Sequence, residues 1–226
     1  MTLGLRGGEI LGMAGLIGAG RTELARAIFG IDMPERGTMR LDGEPLAIGA
    51  PRDAIARGIF LIPEDRKRSG LVLDDSITQN VSLASLKALS RGGLIDVQAE
   101  RRIAEEQRRA LRIKTPDVDT PAASLSGGNQ QKVVLGKWLC MSPRVVIFDE
   151  PTRGVDAGAK SEIYALMREL ADRGVAILMI SSDMEEVIGV SDRVAVMHEG
   201  AIRGILDRDR LSEANIMHLA ISKVLH

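Results

Sequence analysis

The chain has 226 residues, of which 45% are hydrophobic, and its 30 Lys and Arg residues nearly balance 31 Asp and Glu residues. This length can form one domain with a substantial core, and the net charge of −1 gives no electrostatic reason to expect nucleic acid as a partner. Cys140 is the single cysteine and there are three histidines, His198, His218 and His226, which argues against an internal disulfide and against a Cys/His zinc site. We therefore expect a reducing, cytoplasmic compartment. The sequence shows no apolar stretch of roughly 18 to 20 residues, so we expect any membrane role to come through a partner.

Short apolar runs alternate with helical patterns along the chain, and this alternation is typical of an α/β fold. Five runs predict strands, and the last three are rich in Val and Ile, as expected of parallel strands covered on both faces. The predicted strands are residues 9–13, 58–62, 144–148, 175–180 and 193–197. The sequence thus predicts a mostly parallel sheet.

Two further regions complete the predicted architecture. Residues 38–40 and 45–48 flank Asp42-Gly43, a turn pair typical of hairpins, which predicts a small antiparallel annex. Residues from about 76 to 124 are mostly helical and charged in pattern. We expect the chain, 1–226, to comprise a core of about 1–75 and 130–226 with a helical subdomain of about 76–129.

The first chemical motif is a glycine loop at residues 15–22, G-L-I-G-A-G-R-T, which fits G-x-x-x-x-G-K-[ST] except for Arg21 at the lysine position. It lies between a predicted strand and a helix predicted over residues 22–29, the context that a P-loop NTPase fold requires. Such a loop holds phosphate oxygens on backbone N–H groups, and the Thr22 hydroxyl is placed to bind Mg²⁺. Without further support, a glycine-rich turn that binds nothing remains the alternative. The candidate nucleotide contacts are Gly15, Gly18, Ala19, Gly20, Arg21, Thr22 and Glu23.

The second motif is an apolar strand that ends in two carboxylates, V-V-I-F-D-E at residues 145–150. The carboxyl edge of a parallel sheet is where ligands bind in such folds. Asp149 would hold Mg²⁺ directly or through a water, and Glu150 could polarise the attacking water. A strand followed by a turn could be purely structural, but the glycine loop earlier in the chain favours the chemical interpretation.

The third motif is L-S-G-G-N-Q-Q-K at residues 125–132, which opens a helix predicted to run towards Trp138. Ser126 is predicted as the N-cap, and the glycines expose N–H groups that form a second anion-binding surface. This motif resembles the signature sequence of ATP-binding cassette transporters. Residues 151–156, P-T-R-G-V-D, resemble the D-loop of the same family, so the resemblance covers nearly the whole chain.

Four segments resemble, more narrowly, the second cassette of bacterial monosaccharide importers for ribose, galactose or xylose. They are residues 18–24, 63–71, 127–132 and 152–156. In that family two cassettes are fused in one chain, so the resemblance implies another cassette, N-terminal in the natural chain. It also implies ATP and Mg²⁺ as cofactors, transmembrane permease subunits, indirect work with a periplasmic or extracellular sugar-binding protein, and a peripheral place on the cytoplasmic face of the bacterial cell membrane.

Three residues depart from the general cassette pattern. Arg21 replaces lysine, Glu64 stands where a glutamine usually contacts Mg²⁺ and the transporter, and Ser182 stands where a histidine usually contacts the γ-phosphate. The arginine guanidinium is a planar group, whereas the lysine ammonium is compact. Losing one well-placed transition-state contact typically lowers the rate by about 10²–10³. The candidate catalytic residues are Glu150, Ser182 and Glu64. Because of the three departures, we expect slow ATP hydrolysis at this chain's own phosphate loop.

The resemblance also implies a second role for the signature segment. In cassette dimers each ATP lies between the phosphate loop of one cassette and the signature motif of the other, so Ser126, Gly127 and Gly128 are expected to complete the partner's site. Two alternatives stay open at this point. One is a catalytically inert regulatory or dimerisation cassette, and the other is a DNA-maintenance ATPase, although the long coiled coils of that class are not present in this sequence.

Overall fold

The computed structural model describes residues 2–221, so His226 lies outside the described residues. The described strands are β1 Ile10–Gly15, β2 Met39–Leu41, β3 Glu44–Leu46, β4 Ile59–Ile62, β5 Ser90–Arg91, β6 Leu94–Ile95, β7 Val145–Asp149, β8 Ala176–Ile180, β9 Arg193–His198 and β10 Ala201–Asp207. All five predicted strands are confirmed, within about two residues at each end.

The helices are α1 Arg21–Phe29, α2 Pro51–Ala56, α3 Ile77–Ser82, α4 Val97–Ala110, α5 Gly127–Leu139, α6 Ala157–Asp172, α7 Met184–Val190 and α8 Glu213–Ile221, with a π-helical turn at Arg66–Gly70 and 3₁₀ turns at Leu83–Ser85, Ala122–Ser124 and Arg208–Arg210. Helices α1 to α7 lie between the strands along the chain, and α8 follows β10. Within the described residues, none of these helices is long and apolar enough to cross a membrane.

A six-stranded sheet has the order β10-β9-β1-β8-β7-β4. Strands β9, β1, β8 and β7 pair in parallel, and β10 pairs with β9 antiparallel. Strand β10 was not predicted from the sequence, because its residues are mostly half-buried and carry no run of buried apolar side chains. The parallel strands bring the ends of β1, β7 and β8 to one edge of the sheet, as neighbours.

The core of the sheet is apolar on both faces, as predicted for its central strands. Val146, Ile147 and Phe148 in β7 are fully buried, and every residue of β8 is buried. Helices α1, α7 and α8 all contact β1, which stands near the middle of the sheet. The polar loops at the strand ends are therefore held on a rigid base.

Two hairpins lie outside the large sheet. The first, β2–β3, turns at Asp42-Gly43 and confirms the predicted antiparallel annex. The second, β5–β6, turns at Gly92-Gly93 inside the segment that was expected to be mostly helical. The expectation was wrong there, because two successive glycines with positive φ favour a tight turn over a helix.

The described chain divides into two compact units. The first extends through Leu61 and includes Arg144–Glu150 and the residues from Ala165 onward, and the second comprises Ile62–Pro143 and Pro151–Tyr164. The second unit is larger than the predicted helical subdomain, because α3 and α4 both pack against α5. The functional division into a nucleotide-binding core and a helical subdomain stays a prediction.

Candidate functional site

The phosphate loop connects β1 to α1 in the first unit. Gly18 and Gly20 have φ values of 80° and 97°, in the left-handed region that glycine adopts without steric cost. The Ala19 carbonyl accepts a hydrogen bond from the Gly200 N–H at 3.0 Å, so the loop is fixed to the turn that follows β9. The strand, loop and helix stand in the order that the motif predicts.

Arg21, the residue that departs from the motif, contacts the end of β8. Its Nη1 donates to the Ser181 carbonyl oxygen at 2.6 Å. A guanidinium has several N–H donors in a planar fork, so Arg21 can bind a phosphate oxygen while it keeps this bond. Sequence reasoning missed the contact, because a backbone carbonyl gives no signal in a motif.

Thr22 and Asp149, the two predicted metal ligands, lie together. Thr22 Oγ1 donates to Asp149 Oδ1 at 3.2 Å, and Asp149 is 4% exposed. Burial raises the pKa of Asp149 to about 6, against the hydrogen bond from Thr22, which lowers it. Neighbouring oxygens around an octahedral Mg²⁺ are about 2.9 Å apart, so this hard oxygen pair fits the ion, with Asp149 mostly ionised at neutral pH.

Glu150 and Ser182, two predicted catalytic residues, also contact each other. The Ser182 hydroxyl donates to Glu150 Oε2 at 3.0 Å, and the Glu150 N–H donates to the Ile180 carbonyl at 2.9 Å. Glu150 has φ of 49°, a strained conformation for a residue other than glycine. The strain is maintained by the end of β8, which holds Glu150 through both its backbone and its side chain.

The first unit therefore brings together most of the predicted nucleotide site. Its members follow neighbouring strands of the parallel sheet, at the carboxyl edge where ligands bind in such folds. Glu23 lies exposed in the first turn of α1, and its negative charge is one of the smaller causes that raise the pKa of Asp149. A nucleotide contact for Glu23 stays a prediction.

Glu64, the third predicted catalytic residue, lies in the second unit and forms an ion pair with Arg153. Arg66 joins the same group, since its Nη1 donates to the Arg153 carbonyl at 3.0 Å. Asp65 Oδ1 accepts from the N–H groups of Lys67 and Arg68, both at 3.1 Å, and so caps the π-helical turn. All of these residues except Arg68 line a cavity of about 330 Å³. The sequence analysis missed Arg153, and a catalytic role for Glu64 stays a prediction.

Ser126 immediately precedes α5 in the second unit, at the N-cap position. Its side chain makes no capping hydrogen bond, so the prediction that Ser126 caps the helix was wrong for the side chain. Instead its Oγ accepts a hydrogen bond from Asn129 Nδ2 at 2.9 Å. The hydrogen bond to Ser126 Oγ thus comes from a side chain in the first turn of α5.

The two glycines of the signature segment are required by close packing. A Cβ on Gly128 would lie 2.7 Å from Ala159 Cβ at the start of α6, and one on Gly127 would lie 2.9 Å from the Gly154 carbonyl oxygen. Any larger residue would force α5 and its neighbours apart. Ser126, Asn129 and Asp156 are among the residues that line an adjoining cavity of about 180 Å³.

Lys132, at the end of the signature segment, is buried and already engaged. Its Nζ forms an ion pair with Glu162 on α6 and donates to the Arg112 carbonyl at 3.2 Å. The ammonium holds the pKa of Glu162 below its usual range. The ion pair of Lys132 thus connects α5 to α6. Ser126, by contrast, is an exposed polar residue of the motif.

Residues 1–153 match the protein family described as ABC transporter. The match covers more than half of the chain and includes the phosphate loop, Asp149, Glu150 and the signature segment. The chain belongs to the ABC transporter family. The family resemblance seen in the sequence motifs is thus confirmed.

Two curated ABC proteins illustrate the similarity. The chain is 53% identical over 220 residues to the ribose import ATP-binding protein RbsA of Lactococcus lactis subsp. lactis, covering 97% of this chain and 45% of that protein. It is 52% identical over 216 residues to a putative ribose/galactose/methyl galactoside import ATP-binding protein of Rhizobium etli, covering 96% of this chain and 41% of that protein. The chain spans less than half the length of these relatives.

Solved ABC structures share the fold. The ADP conformation of the ATP-binding cassette MJ1267 matches with a TM-score of 0.80 at 20% identity, covering 99% of this chain and 91% of that one. A dimeric post-hydrolysis state of the cassette MJ0796, bound to ADP and Pi, matches with a TM-score of 0.77 at 20% identity, covering 91% and 88%. These likenesses confirm the predicted α/β P-loop fold.

Proposed function

We propose that this chain is an ATP-binding cassette that drives import of a monosaccharide. It would work on the cytoplasmic face of a bacterial membrane with transmembrane permease subunits, a second cassette and, indirectly, a sugar-binding protein. Family membership supports the cassette, and the printed names of the two import proteins at 53% and 52% identity support the substrate class.

ATP and Mg²⁺ would bind at the edge of the sheet in the first unit. The backbone of Gly15, Gly18, Ala19 and Gly20 would surround the phosphates, Arg21 would add its positive charge, and Thr22 and Asp149 would hold the ion. Bound Mg²⁺ neutralises charge on the phosphate oxygens during transfer. The 3.2 Å spacing of the Thr22 and Asp149 oxygens supports this assignment.

We expect this loop to hydrolyse its nucleotide slowly. The Arg21 guanidinium is fixed to the Ser181 carbonyl and cannot follow charge along the phosphates as a compact ammonium can. Ser182 offers a neutral hydroxyl, which donates to Glu150. Glu150 keeps a general base at the site, so a low residual rate is expected rather than none.

The signature segment would complete the phosphate site of the partner cassette. Ser126 is exposed beside the tightly packed Gly127 and Gly128, and these three residues fit the family motif without change. The observation that carries the proposal is this contrast between a fully formed signature surface and a phosphate loop with altered residues. The chain would therefore support hydrolysis chiefly at its partner's loop.

The test is a reconstituted pair of this chain and a partner cassette with its permease, in which Ser126→Arg and Glu150→Gln are compared. Ser126→Arg should lower ATP turnover by about 10²–10³, because it blocks the transition-state contact to the partner's nucleotide. Glu150→Gln should remove a smaller share. Ser142→Arg, at an exposed position just beyond the C-terminal end of α5, is the matched control and should turn over at the wild-type rate.

The reverse ranking, with Glu150→Gln the more damaging change, would contradict the division of labour. Failure of the purified chain to bind ATP in a titration would favour an inert regulatory cassette. Salt-sensitive binding of DNA would favour a DNA-maintenance ATPase.

A further inference from the structure

The side chain of Asn129 bridges two groups in the second unit. Its Oδ1 accepts a hydrogen bond from the Lys114 N–H at 2.8 Å, and its Nδ2 donates to Ser126 Oγ at 2.9 Å. A backbone N–H can only donate, so the atom that faces Lys114 must be the oxygen. The amide nitrogen then has to face Ser126, which fixes the direction of the second bond.

This direction determines what the Ser126 hydroxyl can do. A hydroxyl has a single proton to donate and two lone pairs that accept. Since the bond from Asn129 uses a lone pair, the Ser126 proton points elsewhere. The serine oxygen makes no capping bond to α5, and the residue is exposed next to the 180 Å³ cavity. The proton is therefore available to an acceptor from outside.

We propose that Asn129 is a positioning residue that fixes the Ser126 hydroxyl as a donor to a terminal phosphate of the partner's nucleotide. The proposal rests on the function proposed above for the signature segment. A phosphate oxygen can only accept, so Ser126 can bind it solely through its O–H. An N–H donor on the serine oxygen also polarises that O–H and strengthens the bond it makes.

Two substitutions separate this role from simple packing. In Asn129→Asp the side chain keeps its shape, and one oxygen still accepts from the Lys114 N–H. The other oxygen cannot donate to Ser126 and instead accepts the serine proton, which turns the hydroxyl away from the phosphate. Asn129→Ala removes both bonds but leaves the hydroxyl free to rotate towards the phosphate. The isosteric change should therefore be worse than the truncation, the opposite of what a packing role predicts.

The experiment measures kcat and KM for ATP in the reconstituted pair with its permease. We expect Asn129→Asp to lower kcat by about 10²-fold, close to the effect of Ser126→Ala, with little change in KM, because one transition-state donor is lost. Asn129→Ala should lower kcat by less than about tenfold. The thermal unfolding midpoint of Asn129→Asp should equal that of the wild type.

A double mutant separates loss of the serine proton from simple repulsion by the new charge. If the introduced carboxylate acts through the serine, Asn129→Asp should lower kcat by less than about threefold in the Ser126→Ala background. An undiminished loss in that background, or a loss in Asn129→Ala as large as in Asn129→Asp, would overturn the role of Asn129. Wild-type turnover in Ser126→Ala itself would instead overturn the proposed function of the signature segment.

Discussion

The phosphate loop region of the first unit and the signature surface of the second unit use their polar groups in different ways. In the first, candidate nucleotide-binding and catalytic side chains bond to one another or to the backbone: Arg21 to the Ser181 carbonyl, and Ser182 to Glu150. In the second, Ser126 Oγ accepts a hydrogen bond from Asn129, so its own proton can be donated to another group. The two regions therefore differ in whether their polar side chains are paired within the site or can still pair with a bound group.

The two regions also differ in whether the groups at their sites change charge near neutral pH. Asp149 is buried and its pKa is raised to about 6, so the first region responds to pH near neutrality. The hydrogen bond between Ser126 and Asn129 joins a hydroxyl and an amide, which do not change charge near neutral pH. Changes of pH should therefore act more strongly on nucleotide binding at the phosphate loop than on this hydrogen bond.

The larger of two further expected effects concerns Asp149. Under the proposed assignment, Mg²⁺ would bind the ionised carboxylate, so protonation below a pKa of about 6 would remove a ligand. The affinity of the chain for Mg-ATP should fall by about tenfold between pH 7.5 and pH 5. The substitution Asp149→Asn should weaken Mg-ATP binding and remove most of this pH dependence. Fluorescence titration with a labelled nucleotide measures the affinity at each pH. The control is the same titration with Mg²⁺ removed by a chelator. Equal pH dependence in Asp149→Asn and the wild type would show that another group titrates.

A smaller effect is expected for Arg21→Lys. Lysine restores the usual residue of the loop, but Ser182 still supplies no positive charge, so turnover at this chain's own loop should rise by less than about threefold. Steady-state ATPase assays in the pair, with the partner's own site inactivated, give the rate. If this one change restored full activity, Arg21 would be the only defect of the phosphate loop. That result would contradict the expectation that Ser182 also slows hydrolysis there.

Apolar runs and turn residues in the sequence predicted the elements that a short segment specifies by itself. The five apolar strands, the hairpin at Asp42-Gly43 and the loop before α1 are confirmed, since each needs only its own residues. The β5–β6 hairpin was missed because each of its strands has only two residues, too few for an alternating pattern. Strand β10 was missed because an edge strand with half-buried residues has no strong periodic signal.

The candidate site was predicted as a set of residues but not as a set of contacts. Strand order put Thr22 beside Asp149, as the metal assignment requires. The partners of Arg21 and Asn129 were not predictable, because one is the carbonyl of Ser181 and the other includes the N–H of Lys114. Backbone groups are present at every residue, so only the folded chain selects which of them a side chain meets.

The most direct test of the division of labour is the product stoichiometry of one catalytic cycle. The reconstituted pair, loaded with two ATP molecules and Mg²⁺, is quenched after a single turnover, and the bound nucleotides are separated and counted. The account predicts one ADP and one remaining ATP per pair, with the ATP retained at the phosphate loop that contains Arg21. Two ADP molecules formed per pair at the same rate would contradict it.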